Sequence, residues 1–185
     1  ASTSVGTMSR QTTADTTNLP NIQYCARVQR TAAQTGTGSM AIYQSFETVN
    51  SIPFAGKTVT LSFYARAGAN FSAASNILTA HVDTGTGTDQ NLLNGYTGNL
   101  TPINTNFALT TTWQRFTVSG TLSASLTELA VSFLYTPVGT AGANDYYEIT
   151  GAQLEIASSA TAYSPNGPTY QAELAACQRY YQRFI

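Results

Sequence analysis

The stretch from Lys57 to Arg66 restricts the fold more than any other part of the chain. Val59, Leu61, Phe63 and Ala65 alternate there with Thr58, Thr60, Ser62, Tyr64 and Arg66. A period of two residues gives one dry face and one wet face, the pattern of a half-buried β-strand. Weaker forms of the pattern predict further strands over 22–30, 40–48, 76–83, 113–119, 126–136 and 145–156. Turn-rich segments such as 34–39 (QTGTGS) and 137–144 (PVGTAGAN) separate them. In the last strand the apolar positions change parity between Ile149 and Leu154, and Gly151 is where a β-bulge absorbs the extra residue. About seven or eight strands at this spacing predict an all-β chain, an antiparallel β-sandwich of jelly-roll type.

Composition agrees with one sandwich. The chain has 185 residues, and only 9 % are charged, against about 25 % in an ordinary soluble domain. Thirty Thr, 16 Ser, 12 Asn and 11 Gln stand in their place, and β-branched Thr suits the wet face of a sheet. A net charge of −1 offers no electrostatic footprint for nucleic acid or an anionic membrane. No apolar run approaches the roughly 18 residues of a membrane-spanning helix, and a hydrophobic share of 42 % is too high for a disordered chain. Lys57 is the single lysine beside seven arginines, a composition that points to a particle or extracellular setting. Cys25 and Cys177 are too few for a disulfide scaffold. They read as two reduced core thiols, with one bridge closing a large loop as the alternative.

Three segments follow. Residues 1–20 lack apolar periodicity and read as an extended arm or linker, residues 21–164 as the jelly roll, and residues 165–185 as a short C-terminal helix. Within the jelly roll a Gly-, Thr- and Asn-rich excursion runs from Thr84 to about Thr112, a length usual for functional or internally packed loops. In the tail, Tyr170, Leu174, Cys177, Tyr181 and Phe184 recur at helical intervals. Two roles are open to this stripe: docking on the sandwich, or meeting copies of itself on a symmetry axis.

The chemistry-bearing residues are sparse. His81 has neither a GxSxG-type nucleophile motif nor a second histidine for a metal. A glycosidase needs two carboxylates about 5–9.5 Å apart. Asp145 and Glu148, three apart on a strand, face opposite sides, while Asp83 and Asp89 bracket a turn. No cofactor is expected; for a structural Ca²⁺, Asp145 and Glu47 are the nearest donors, although no D-x-D-x-D-G loop is present. The Gly-rich TGTG and GTAGAN stretches read as turns, because no Walker lysine accompanies them. Aromatic residues give the best binding signal, since sugars stack C–H faces on rings while amides, carboxylates and Arg take their hydroxyls. Alternation puts Tyr64, Arg66, His81 and Asp83 on outward faces of consecutive strands, with Tyr96 in the long loop. If those strands pair, the five residues form a carbohydrate platform; ordinary cross-strand packing is the competing reading. Trp113 reads as core or edge packing.

The blocks ARVQRTAAQTGTG (26–38), AGKTVTLSFYARAGAN (55–70), TTTWQRFTVSGT (110–121), YYEITGAQLEIASSATAY (146–163) and ELAACQRYY (173–181) together resemble a domain of bacteriophage virion proteins. These are tail-fibre, spike and capsid-appended proteins with a carbohydrate-binding-module-like jelly roll. The resemblance spans about residues 22–181, with ITGAQLE and ELAACQRYY its most specific parts. It implies a non-enzymatic module on the exterior of a phage or phage-like particle, often trimeric, with other virion proteins as partners. The expected function is therefore a virion structural protein whose lectin-like domain meets host-surface polysaccharide. The alternative is a capsid decoration or cement protein acting through protein contacts alone.

Overall fold

A computed structural model describes residues 3–164. Its strands are β1 (Gly6–Thr12), β2 (Tyr24–Arg30), β3 (Met40–Phe46), β4 (Thr58–Ala67), β5 (Ile77–Gly85), β6 (Leu100–Ala108), β7 (Gln114–Thr121), β8 (Glu128–Tyr135) and β9 (Tyr146–Glu155), with one short helix, α1 (Thr48–Ser51). All pairings are antiparallel. Sheet A has the order β1-β2-β9-β4-β7 and sheet B the order β3-β8-β5-β6. The fold is the expected antiparallel β-sandwich. The tail stripe of Tyr170, Leu174, Cys177, Tyr181 and Phe184 lies outside the described residues.

The alternation in β4 places Val59, Leu61, Phe63 and Ala65 in the core. Phe63 is the centre of an aromatic cluster that joins the sheets. Its ring centroid lies 4.7 Å from Phe133 on β8, 5.3 Å from Phe107 on β6 and 5.5 Å from Phe116 on β7. Beside it the buried Tyr147 hydroxyl of sheet A donates to the Phe133 carbonyl of sheet B at 3.0 Å. The expected bulge is present: Ser62 faces Gln153 while Tyr64 faces Thr150, so β9 carries one residue more than β4. Gly151 takes φ +56° there, a backbone that glycine adopts without a Cβ penalty.

Two strands depart from the sequence reading. Residues 6–12 do not lie in a free arm; they pair along β2 from Gly6↔Arg30 to Thr12↔Tyr24 as the edge of sheet A. An edge strand wet on both sides needs no apolar period, so nothing in its sequence distinguishes it from a linker. The long excursion likewise contains β6, paired with β5. Its Pro102, Asn104 and Asn106 depress β-propensity, yet Pro is tolerated on an edge strand, and Ile103 and Phe107 still turn into the core.

A second, smaller core lies on the outer side of sheet A. Trp113 is buried there with Leu19 and Cys25 against Ile22 and Tyr64, and its indole N–H donates to the Thr13 carbonyl at 3.1 Å. The Cys25 thiol contacts the Gln11 carbonyl at 3.7 Å. Burial pushes this thiol from its ordinary 9.0 up to about 11, helped by the charge of Glu148.

One end of the sandwich is pinned by a buried cation. The Arg30 guanidinium donates to the carbonyls of Gly36 and Gly139 at 2.6 and 2.8 Å, and to Asp145 and Ser72 at 3.3 Å each. The Asp145 carboxylate also accepts from the Ser72 N–H and hydroxyl at 3.0 and 2.7 Å. Three loops are thereby tied to β2. Of the two residues expected to serve Ca²⁺, Asp145 has its charge met by Arg30. Glu47 precedes α1 and accepts from the Asn50 amide.

Breaking a buried ion pair strands its partner, which costs about 3–5 kcal/mol. Arg30→Ala and Asp145→Ala are each expected to lower unfolding stability by roughly that amount in urea titration, and the double variant by clearly less than the sum. A second expectation concerns alkali. Burial also raises the phenols of Tyr135 and Tyr147, so above pH 9 the unfolded chain releases protons that the native chain retains. Stability should therefore fall as pH rises from 9 to 11. Cys25→Ala should remove the thiol's share, about 2–3 kcal/mol.

Candidate functional site

With Ile42, Val131, Phe133, Leu78, Ala80, Val82 and Ile103 turned into the core, register fixes what sheet B shows to the outside. One row reads Tyr43, Ser132, His81, Asn104 across β3, β8, β5 and β6. The row beside it reads Ala41, Leu134, Thr79, Asn106. A third begins Ser45, Ala130, Asp83. Ser132 and Ala130 on β8 leave a low floor beside Leu134. Tyr43, 38 % exposed, stands on one side, and the amides of Asn104 and Asn106 on the other.

The polar groups of this face are already oriented. Thr79 donates to Asn106 Oδ1 at 2.8 Å, and His81 Nε2 lies 3.1 Å from Asn104 Oδ1. With their oxygens so engaged, both exposed asparagines keep their NH₂ groups as donors. Thr101 donates to Asp83 Oδ1 at 2.7 Å, and His81 Nδ1 lies 4.0 Å from Asp83 Oδ2. Aromatic ring, hydroxyls, amides and imidazole thus share one open surface, the mixture that takes a sugar's C–H face and hydroxyls.

Segment 86–99 builds a wall at one end of the face. Leu92 N–H donates to Ser45 Oγ at 3.0 Å, Thr97 and Gln90 bond each other twice, and the Tyr96 hydroxyl donates to the Leu129 carbonyl at 3.1 Å. Burial raises the Tyr96 phenol, with the charges of Glu128 and Asp83 adding to the shift. The ring packs so closely on β5 that a Cβ at Gly85 would stand 2.6 Å from the Tyr96 Cβ. Only glycine fits there.

The five residues expected to form one platform divide. His81 and Asp83 lie on the outer face of sheet B. Tyr96 lies in the adjoining wall, but at 6 % exposure its ring serves packing and presents no face to solvent. Tyr64 and Arg66 lie on β4 in sheet A, on the far side of the sandwich. There Arg66 and Arg27 bracket the buried Glu148 at 2.5 and 2.6 Å. Arg115 lies over the Tyr64 ring and also bonds Ser62 and the Thr161 carbonyl. Consecutive strands do not imply one sheet, and the β4–β5 connection crosses between the two. Sequence reading missed Tyr43, Ser132, Asn104 and Asn106. The last two were hidden with β6; Tyr43 was visible as an alternation partner of Ile42 and Gln44.

The carboxylate pairs weighed for hydrolysis are also placed. Asp145 and Glu148 are both buried, each held by arginine. Asp83 is buried on the outer face of sheet B, and Asp89 accepts from the Thr48 N–H in the end loop. A separate apolar cleft of about 360 Å³ opens between β3 and β9, lined by Ile42, Phe46, Leu61, Phe133, Ile149 and Leu154.

No protein-family model and no curated protein matches this sequence. Solved structures do resemble the fold. The enzymatically active domain of bacteriophage CBA120 tailspike protein 4 superposes with a TM-score of 0.57 at 11 % identity over 85 % of this chain. This chain spans 18 % of that protein. A carbohydrate-binding module from the β-sandwich superfamily, described for its promiscuous specificity, gives 0.54 at 13 % identity over 83 % of this chain and 56 % of its own. At these identities the likeness is one of fold.

Tyr96→Phe removes the hydrogen bond to the Leu129 carbonyl while keeping the ring. It should lower stability by about 1 kcal/mol and speed amide exchange of Leu93 and Thr97 more than that of the strands.

Proposed function

We propose that this domain is a non-catalytic glycan-binding module, carried on the exterior of a phage or phage-like particle, which meets host-surface polysaccharide with the outer face of sheet B. The observation that carries the reading is the row Tyr43, Ser132, His81, Asn104, bordered by Thr79 and Asn106 and walled by segment 86–99. Tyr43 supplies the ring on which a pyranose stacks; the asparagine amides and His81 hydrogen-bond its hydroxyls. The fold likeness to a carbohydrate-binding module and to a phage tailspike domain supports the reading in general terms. The particle setting rests on the sequence resemblance together with the tailspike likeness.

Affinity electrophoresis in gels containing host-surface polysaccharide tests the site. Tyr43→Ala with Asn104→Ala should weaken retardation at least about tenfold, the scale expected when one stacked ring and one hydrogen-bonding amide are lost. Arg66→Gln, on the other sheet, should leave retardation unchanged. Loss of binding in Arg66→Gln with retention in the double variant would move the site to sheet A.

A second reading, decoration of a capsid by protein contacts alone, has one observation in its favour. β1 is an edge strand with no neighbour on its outer side among the described residues, and it exposes Met8 at 70 %. If particles bind the protein, polysaccharide does not, and Met8→Lys weakens particle binding, this reading replaces the first.

A further inference from the structure

The charges of the described residues are partitioned between the two sheets. Arg10, Arg27, Arg30, Arg66 and Arg115 all lie on strands of sheet A, and Lys57 immediately precedes β4 of the same sheet. The strands of sheet B contain no lysine or arginine, and neither do segments 47–56 and 86–99 at its end. Those strands and segments contain four carboxylates, Glu47, Asp83, Asp89 and Glu128.

The buried carboxylates of the two sheets are also treated differently. On sheet A, Glu148 is bracketed by two guanidinium groups and Asp145 is paired with Arg30. On sheet B, Glu128 accepts from the Thr48 hydroxyl at 3.0 Å while its second oxygen has no hydrogen-bond partner among the described residues. Asp83 accepts from the Thr101 hydroxyl, and the nearest basic group is His81 at 4.0 Å. Hydroxyls orient a carboxylate without cancelling its charge. Asp83 is 4 % and Glu128 0 % exposed, so water screens these charges incompletely. The arginines of sheet A are a sandwich thickness away, about 10 Å, which is comparable to the screening length in physiological salt.

We infer that the outer face of sheet B selects uncharged glycans and rejects acidic ones, because buried carboxylates with no lysine or arginine partner, Asp83 and Glu128, sit on that same face at its walled end. The inference rests on the glycan-binding reading and adds the class of sugar: a polymer of neutral hexoses, with uronate, sialate or phosphate substituents disfavoured. At the separations involved, one sugar carboxylate seated on the face should weaken binding on the order of tenfold at low salt.

The test compares gluco-, galacto- and manno-hexaoses with the same hexaoses after oxidation of their primary hydroxyls to carboxylates, by calorimetry on the full chain. The change adds charge at C6 and leaves the linkage intact. Neutral forms should bind about tenfold or more tightly than their oxidised forms in 20 mM salt, and the ratio should shrink towards one in 1 M salt. Asp83→Asn keeps an oxygen for Thr101 and should narrow the ratio several-fold; Glu128→Gln provides the same readout if Asp83→Asn does not fold. Equal or tighter binding of the oxidised forms overturns the inference while leaving glycan binding in place. Binding of an acidic host polysaccharide with none of the neutral hexaoses also overturns it. No binding of any hexaose or host polysaccharide overturns both readings.

Discussion

Phe63 meets Phe133, Phe107 and Phe116 at the middle of the sandwich, and this contact between the sheets decides which side of every strand faces water. Because side chains alternate strictly, a one-residue slip would turn the whole apolar set of β4 outward. With Phe63 inside, Tyr64 and Arg66 must be outside on sheet A; with Phe133 and Ala80 inside, Ser132 and His81 must be outside on sheet B. The two outer faces then meet different fates. Residues 13–22 and 157–163 run across sheet A, where Trp113, Leu19 and Cys25 make a second core. Among the described residues, sheet B is covered at one end only, by the wall held through Tyr96 and Leu92. Tyr43, Asn104 and Asn106 on its central rows are exposed.

The sandwich itself was readable from the alternation in β4 and from its fainter copies in β8 and β9, and the parity change at Gly151 marked the bulge correctly. Two strands were not readable. β1 gains its stability from pairing with β2 instead of burying a face, so it leaves no period; β6 carries Pro and Asn on the side that an edge strand can leave wet. The candidate site was readable only in part. His81 and Asp83 were assigned outward and are outward on one face. Their grouping with Tyr64 and Arg66 failed because the chain passes from sheet to sheet between β4 and β5, and alternation gives the face of a strand but not its neighbours. Tyr96 failed for a different reason: a tyrosine in a polar loop looks exposed until a buried carbonyl, here that of Leu129, takes its hydroxyl.

The charged residues, few as they are, follow the same division. Arginines of sheet A neutralise Glu148 beneath the partial cover and Asp145 at the pinned end, and four of them lie over aromatic rings: Arg10 on Tyr24, Arg27 on Tyr146, Arg66 on Trp113 and Arg115 on Tyr64. That face is built to hold itself and its covering segments together. Sheet B has no such cations, so its polar groups are short hydroxyl and amide side chains on a low floor. The likeness to a carbohydrate-binding module and a tailspike domain is one of fold.

The central claim, that the outer face of sheet B is the binding surface, is tested most directly by mapping backbone amide shifts while host-surface oligosaccharide is added to isotopically labelled protein. The account predicts the largest changes at Tyr43, Thr79, His81, Asn104, Asn106 and Ser132, with Arg27, Tyr64, Arg66 and Tyr146 unmoved. Changes concentrated on those sheet A residues, or along the β3–β9 cleft at Ile149 and Leu154, would contradict it.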